Sequence, residues 1–144
     1  MGSSAKELPA TNKMNMKGGP TLTHHHKLAL IAPVSEEEIQ QGLDSIGEDK
    51  APGIDRYNAN FFRKAWGTIK EEVREAVKEF FTTGKLYNAI NCTTIILLPK
   101  NDKPRTLMKY RPIACCTVMY KLISKVIAAR IQIVIASIIS ESQA

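Results

Sequence analysis

Lys100 and Arg111 are the two side chains whose type and spacing offer the most chemistry. Lys100 follows the β-branched and apolar run Cys92-Thr93-Thr94-Ile95-Ile96-Leu97-Leu98, and Arg111 opens a second short run, Arg111 to Cys115. Between them lies the polar turn Asn101-Asp102-Lys103-Pro104-Arg105. Two strands joined in this way put an ammonium and a guanidinium on one small surface, a pairing suited to a phosphate or triphosphate. Lys103 and Arg105 add two more cations to the same tip. A charged hairpin tip that is merely solvated is the plainer alternative, and the residues alone leave both open.

The charge distribution favours an anionic partner. The 144-residue chain carries a formal net charge of +6, and the balance is uneven. From Pro99 to Arg130, the cations Lys100, Lys103, Arg105, Lys109, Arg111, Lys121, Lys125 and Arg130 face only Asp102, whereas the stretch 34–83 is net acidic. A basic footprint of this kind is what nucleic-acid binding requires, without itself proving it. Other chemistries lack their parts. His24-His25-His26 lies in a segment with no hydrophobic periodicity, and three consecutive histidines on a loop do not converge on a metal without further ligands. Cys92, Cys115 and Cys116 form neither a disulfide framework nor a C-x-x-C zinc spacing, which fits a reducing, intracellular compartment, cytoplasm or nucleus. No Ser/His/Asp or H-E-x-x-H constellation of a hydrolase is present. Met1 to Lys17 has no apolar signal-peptide core, and Leu122 to Ile139 carries Lys125, Arg130 and Gln132 at mid-span, which argues for a soluble helix and no membrane partner.

The elements that must position these groups are legible to different degrees. Residues 1–33, with Gly18-Gly19-Pro20, read as a loose or docked arm, and 34–144 as the folded part. Ser35-Glu36-Glu37-Glu38 is a capping box that starts a helix with Ile39, Leu43 and Ile46 on its apolar face, ended by Gly47. A loop, Asp49-Lys50-Ala51-Pro52-Gly53-Ile54-Asp55, follows. Helical periodicity then runs from Asn60 to Phe81, with Trp66-Gly67-Thr68 predicting a break into two helices and Gly84 a stop. Cys92 to Leu98 predicts a largely buried strand, and Pro112 makes its partner an edge or irregular one. Lys121 to Ser140 predicts a helix with Lys121, Ser124, Lys125, Ala128 and Gln132 on its polar arc. Arg130 points into the apolar arc, either snorkelling or aimed at a buried anion or carboxylate. The expected fold class is α+β, mostly helical with one short β-hairpin.

The motifs Asp49 to Asp55, Phe61-Phe62, Ala65-Trp66, Ile96-Leu97-Leu98-Pro99-Lys100, Tyr110-Arg111-Pro112-Ile113-Ala114-Cys115-Cys116 and Tyr120 to Ile127, in this order, resemble the reverse transcriptases of plant LINE-type (non-LTR) retrotransposons. The resemblance runs from about Leu30 onward. It implies the fingers part of a right-hand RNA-directed DNA polymerase, comprising an N-terminal extension, the fingers and the first palm helix. By that resemblance, Lys50 and Asp55 belong to a template-side turn, and Lys100 and Arg111, with Lys103 and Arg105 beside them, face an incoming dNTP and the RNA or DNA template. The remaining palm and thumb would be its partner. Two departures stand out. Arg56 occupies the place of the family's glycine after Asp55. The paired aspartates that hold Mg2+ in the complete polymerase lie downstream of the residues present, so the expectation is a segment with no cofactor of its own and no catalytic residues. A retroelement relic, or a helical interaction module docking through Leu122 to Ile139, are the alternatives.

Overall fold

The computed structural model describes residues 21–139; the Gly18-Gly19-Pro20 motif and the last residue of the expected final helix, Ser140, lie outside them. Five helical segments and two strands follow one another as α1 (His24–Ile31), α2 (Glu36–Asp44), α3 (Ala59–Thr83), β1 (Thr93–Pro99), a 3-10 turn (Leu107–Lys109), β2 (Tyr110–Cys116) and α4 (Val118–Ile135). The fold class is α+β, with a single antiparallel hairpin.

Local chemistry accounts for the helix ends. The capping box is complete: Glu38 N–H donates to Ser35 Oγ at 3.2 Å, and Ser35 N–H donates to Glu38 Oε2 at 2.9 Å. Asn58 caps α3 by accepting from Phe61 N–H, and Thr117 caps α4 by accepting from Tyr120 N–H. Gly84 closes α3 in the left-handed conformation at φ 67°, its N–H bonded to Phe80 O. The core lies between α2, α3 and α4 and contains Ile39 and Leu43, Phe62, Val73 and Val77, and Val118, Leu122 and Val126. At Gly42, α2 approaches α4 so closely that a Cβ would sit 2.9 Å from Leu122 Cδ1.

Four expectations are corrected. Residues 24–31 are helical, so the three histidines occupy the first turn of α1 and not a loop; Thr23 caps that turn by accepting from His26 N–H. No break occurs at Gly67, because α3 runs unbroken for 25 residues and Trp66 and Ile69 pack on the core from either side of it. A mid-helix glycine costs only about 1 kcal/mol, which such packing outweighs. The last helix begins at Val118, three residues earlier than expected, and ends at Ile135. Most plainly, β1 is exposed along its whole length, where a largely buried strand was expected. A two-stranded hairpin has no second layer to cover it, so the apolar side chains of Thr94 to Leu98 stay exposed. The stripe Leu122 to Ile139 is likewise split: Leu122, Ile123, Val126 and Val134 are consumed in the chain's own interior, which argues against the whole stripe serving as an external docking face.

Arg130 resolves in favour of the carboxylate. It is 6% exposed, and its Nε and Nη2 donate to Glu38 Oε1 at 2.6 Å and Oε2 at 2.8 Å. Nη1 donates to Ala32 O at 2.7 Å and Leu30 O at 3.3 Å, while Nη2 also reaches Pro33 O at 3.1 Å. One guanidinium therefore satisfies the open carbonyls at the end of α1 and ties them to the start of α2. These hydrogen bonds hold the Glu38 carboxyl below the ordinary carboxylate range.

The only non-glycine residue with positive φ among the described residues is Arg56, at 62°. That is the left-handed conformation glycine adopts without a Cβ clash. Arg56→Gly should raise stability by about 0.5–1 kcal/mol, read as a higher urea midpoint; relief of strain exceeds the extra unfolded-state entropy of glycine.

Candidate nucleic-acid interface

The hairpin is built from complementary runs. Its register pairs Thr94 with Cys115, Ile96 with Ile113 and Leu98 with Arg111 on one face, and Leu97 with Pro112 on the other. Lys100 N–H donates to Lys109 O at 2.8 Å, extending the ladder one step and putting Lys100 on the Arg111 face, diagonal to it. The structure thus brings Lys100 and Arg111 to the same end and face, as the spacing predicts. The Lys100 ammonium also folds back to donate to Met108 O at 2.9 Å, which fixes its stem across the hairpin connection. Lys103 and Arg105 are exposed in that connection. Among the described residues no ion pair involves Lys100, Lys103, Arg105, Lys109 or Arg111. Several acidic residues pair with arginines of the helical part: Glu36 and Glu71 with Arg74, and Asp44 and Glu48 with Arg63.

Apolar side chains continue the basic end along the hairpin. Ile96, Leu98 and Ile113 are 44%, 46% and 39% exposed on the Arg111 face, and Ile95 is 67% exposed on the other. An uncovered apolar surface next to an uncompensated cationic tip is unusual for a free-standing domain and marks an interaction surface.

Lys50 and Asp55 lie elsewhere. Their loop docks through Gly53 against the junction of β2 and α4, where a Cβ on Gly53 would sit 2.5 Å from Thr117 N and 2.8 Å from Cys116 C. Asp55 Oδ1 accepts from Tyr57 N–H at 3.3 Å and so shapes the turn. Cys116 ends β2, five residues from Arg111, which at about 3.3 Å per residue separates the loop from the cationic tip by roughly 17 Å. The residues marked out by the sequence therefore form two groups at opposite ends of the hairpin.

At the loop end the sequence reading missed two partners. Lys121 Nζ donates to Ala51 O at 2.6 Å, and Lys121 and Lys125 share with Lys50 a cavity of about 240 Å3. Their i,i+4 spacing on one helix face was the available signal; the long-range contact with the loop was not readable. Exposed Tyr57 and Phe61 stack beside this loop, ring centroids 4.5 Å apart. Among the described residues no group of three or more His, Cys, Asp or Glu comes together to hold a metal ion, and no helix is long and apolar enough to cross a membrane. All three cysteines are free.

No family model matches the chain. A search of curated proteins finds similarity to the Transposon TX1 uncharacterized 149 kDa protein of Xenopus laevis, 29% identical over 126 residues. The match covers 88% of this chain and 10% of that protein, so this chain is similar, over most of its length, to about a tenth of a transposon protein.

Proposed function

We propose that the chain is a retroelement-derived segment, the fingers part of a LINE-type reverse transcriptase of the kind found in plants, and that its hairpin tip holds template and dNTP phosphates. The observation that carries this reading is the cationic end of the hairpin, where Lys100 and Arg111 share a face and neither forms an ion pair among the described residues. The similarity to a transposon protein supports a retroelement origin, and the motifs from Asp49 to Ile127 supply the polymerase assignment by resemblance. Guanidinium and ammonium groups at this spacing bind and orient phosphate oxygens. The exposed apolar hairpin surface fits a seat for the palm and thumb of the same polymerase. Mg2+ belongs with the carboxylates of the complete polymerase; the described residues do not fit it.

The test is fluorescence anisotropy with a labelled 20-base-pair RNA–DNA hybrid across a salt series. Each neutralised phosphate adds about 0.9 to the slope of log K against log salt. Lys100→Ala/Arg111→Ala should flatten that slope by about 1–2 and weaken binding about tenfold at 0.1 M salt. Unchanged affinity and slope would overturn the assignment of the tip.

A further inference from the structure

We infer that the free edge of β1 pairs antiparallel with β1 of a second copy of this chain, joining two hairpins into one four-stranded sheet. This edge is separate from the cationic tip, and the pairing does not depend on whether the tip binds phosphates. The faces of the hairpin, the proposed seat of palm and thumb, stay open.

In an antiparallel pair, residues alternate between those bonded to the partner strand and those whose N–H and C=O point away from it. Lys100 N–H bonds to Lys109 O, so in this register Thr94, Ile96 and Leu98 bond to β2, while Thr93, Ile95 and Leu97 turn their backbone groups outward. Pro112 opposite Leu97 agrees, because a proline, having no N–H, fits where that group would point out of the sheet. The outward groups of Thr93, Ile95 and Leu97 meet no further strand and make no other backbone hydrogen bond among the described residues. Proteins normally blunt such an edge with charge, proline or a bulge. β1, Thr-Thr-Ile-Ile-Leu-Leu-Pro, carries no charge, and its proline stands only at the end beside the tip. The β2 edge is blunted: Pro112 donates nothing, Tyr110 N–H is taken by Leu107 O, and Gly53 packs against Cys116.

β1 also fits itself. With Ile95 of one copy opposite Ile95 of the other, Thr93 of each meets Leu97 of its partner, and every outward N–H finds a C=O. Pro99, which has no N–H, lies beyond the paired stretch, and Ile96 of each copy packs beside Thr94 of the other. This register separates the two Lys100 residues by ten positions, roughly 33 Å at about 3.3 Å per residue and about three Debye lengths at 0.1 M salt. The cationic tips therefore do not oppose pairing. β2 then forms both outer edges, so the assembly closes at two copies. One strand per copy is a small interface, and the expected dissociation constant is about 10–100 µM.

The experiment is sedimentation equilibrium of the 144-residue chain from about 5 to about 500 µM, a range that brackets this constant. Ile95→Lys and Ile95→Glu each set two like charges opposite one another and should weaken the dimer at least about tenfold; an equimolar mixture of the two should restore it as a heterodimer. Ile95 is 67% exposed, so neither change disturbs the core, and melting curves check each fold. Ile113→Lys, on a face and off the edge, should change the constant less than about twofold. Raising salt from about 0.1 M to about 0.5 M should leave the dimer intact while it strips nucleic acid from the tip, so the two associations fail separately. A wild-type chain that stays monomeric at about 500 µM overturns the pairing, as does growth past two copies. No recovery in the mixture, or equal losses in Ile113→Lys and Ile95→Lys, overturns it in favour of packing through the hairpin faces.

Discussion

Arg130→Met is expected to destabilise the chain by about 3 kcal/mol and to lower its melting temperature by roughly 10 °C. Methionine keeps an unbranched side chain of similar length beside the Phe81 ring, so most of the loss comes from the polar partners. Those partners are the Glu38 carboxylate and the carbonyls of Leu30, Ala32 and Pro33. Removing one member of a buried pair leaves the other without compensation, typically at about 3–5 kcal/mol. The lower end applies because Glu38 is 32% exposed and regains some water. Glu38 also still caps α2 through Ser35, so α2 should persist while α1 detaches. Hydrogen exchange should show faster exchange over residues 24–31 before the core melts.

The same pair sets an acid dependence. Because the folded-state value of Glu38 lies below its ordinary one, its contribution is fully present above the ordinary carboxylate range and is lost as pH falls through that range and the depressed folded value. Wild-type stability should therefore drop on acidification below about pH 4.5, and the Arg130→Met variant should show a flatter profile there. Identical pH profiles would show that the Glu38–Arg130 contact contributes nothing to stability. A double-mutant cycle with Glu38→Gln should give a coupling above about 1 kcal/mol.

Gly53→Ala should cost about 2–3 kcal/mol, measured by urea denaturation. The added methyl would lie 2.5 Å from Thr117 N and 2.7 Å from Thr117 Cα, and these are backbone atoms that cannot rotate away. Overpacking against a fixed neighbour costs about 1–3 kcal/mol. Thr117 is also the cap of α4 and donates through Oγ1 to Ile90 O at 2.8 Å, so displacing it weakens a helix start worth about 1 kcal/mol. The loop should lift from α4, separating Ala51 O from Lys121 Nζ. A neutral effect on stability would mean that the loop is not docked as described.

The sequence by itself determined what neighbours in the chain decide. The capping box at Ser35 and Glu38, the left-handed stop at Gly84, the two β-branched runs and the charge reversal after Pro99 are all set by residues within a few positions of one another. Each was legible for that reason. The placement of Lys100 and Arg111 at the same end of the hairpin was legible too, because two consecutive apolar runs joined by a polar turn pair antiparallel, and the residues flanking the turn then meet.

Gly67 misled because local propensity is weak beside the packing of Trp66 and Ile69, which sequence spacing does not weigh. β1 misled because apolar composition says that a strand wants a covering layer and not whether this chain supplies one. The pairing of Arg130 with Glu38 and the contact of Lys121 with Ala51 join residues 92 and 70 positions apart. Only the tertiary structure decided these contacts, because they depend on how α2 and α4 close on one another at Gly42, a distance that no local pattern of residue types encodes.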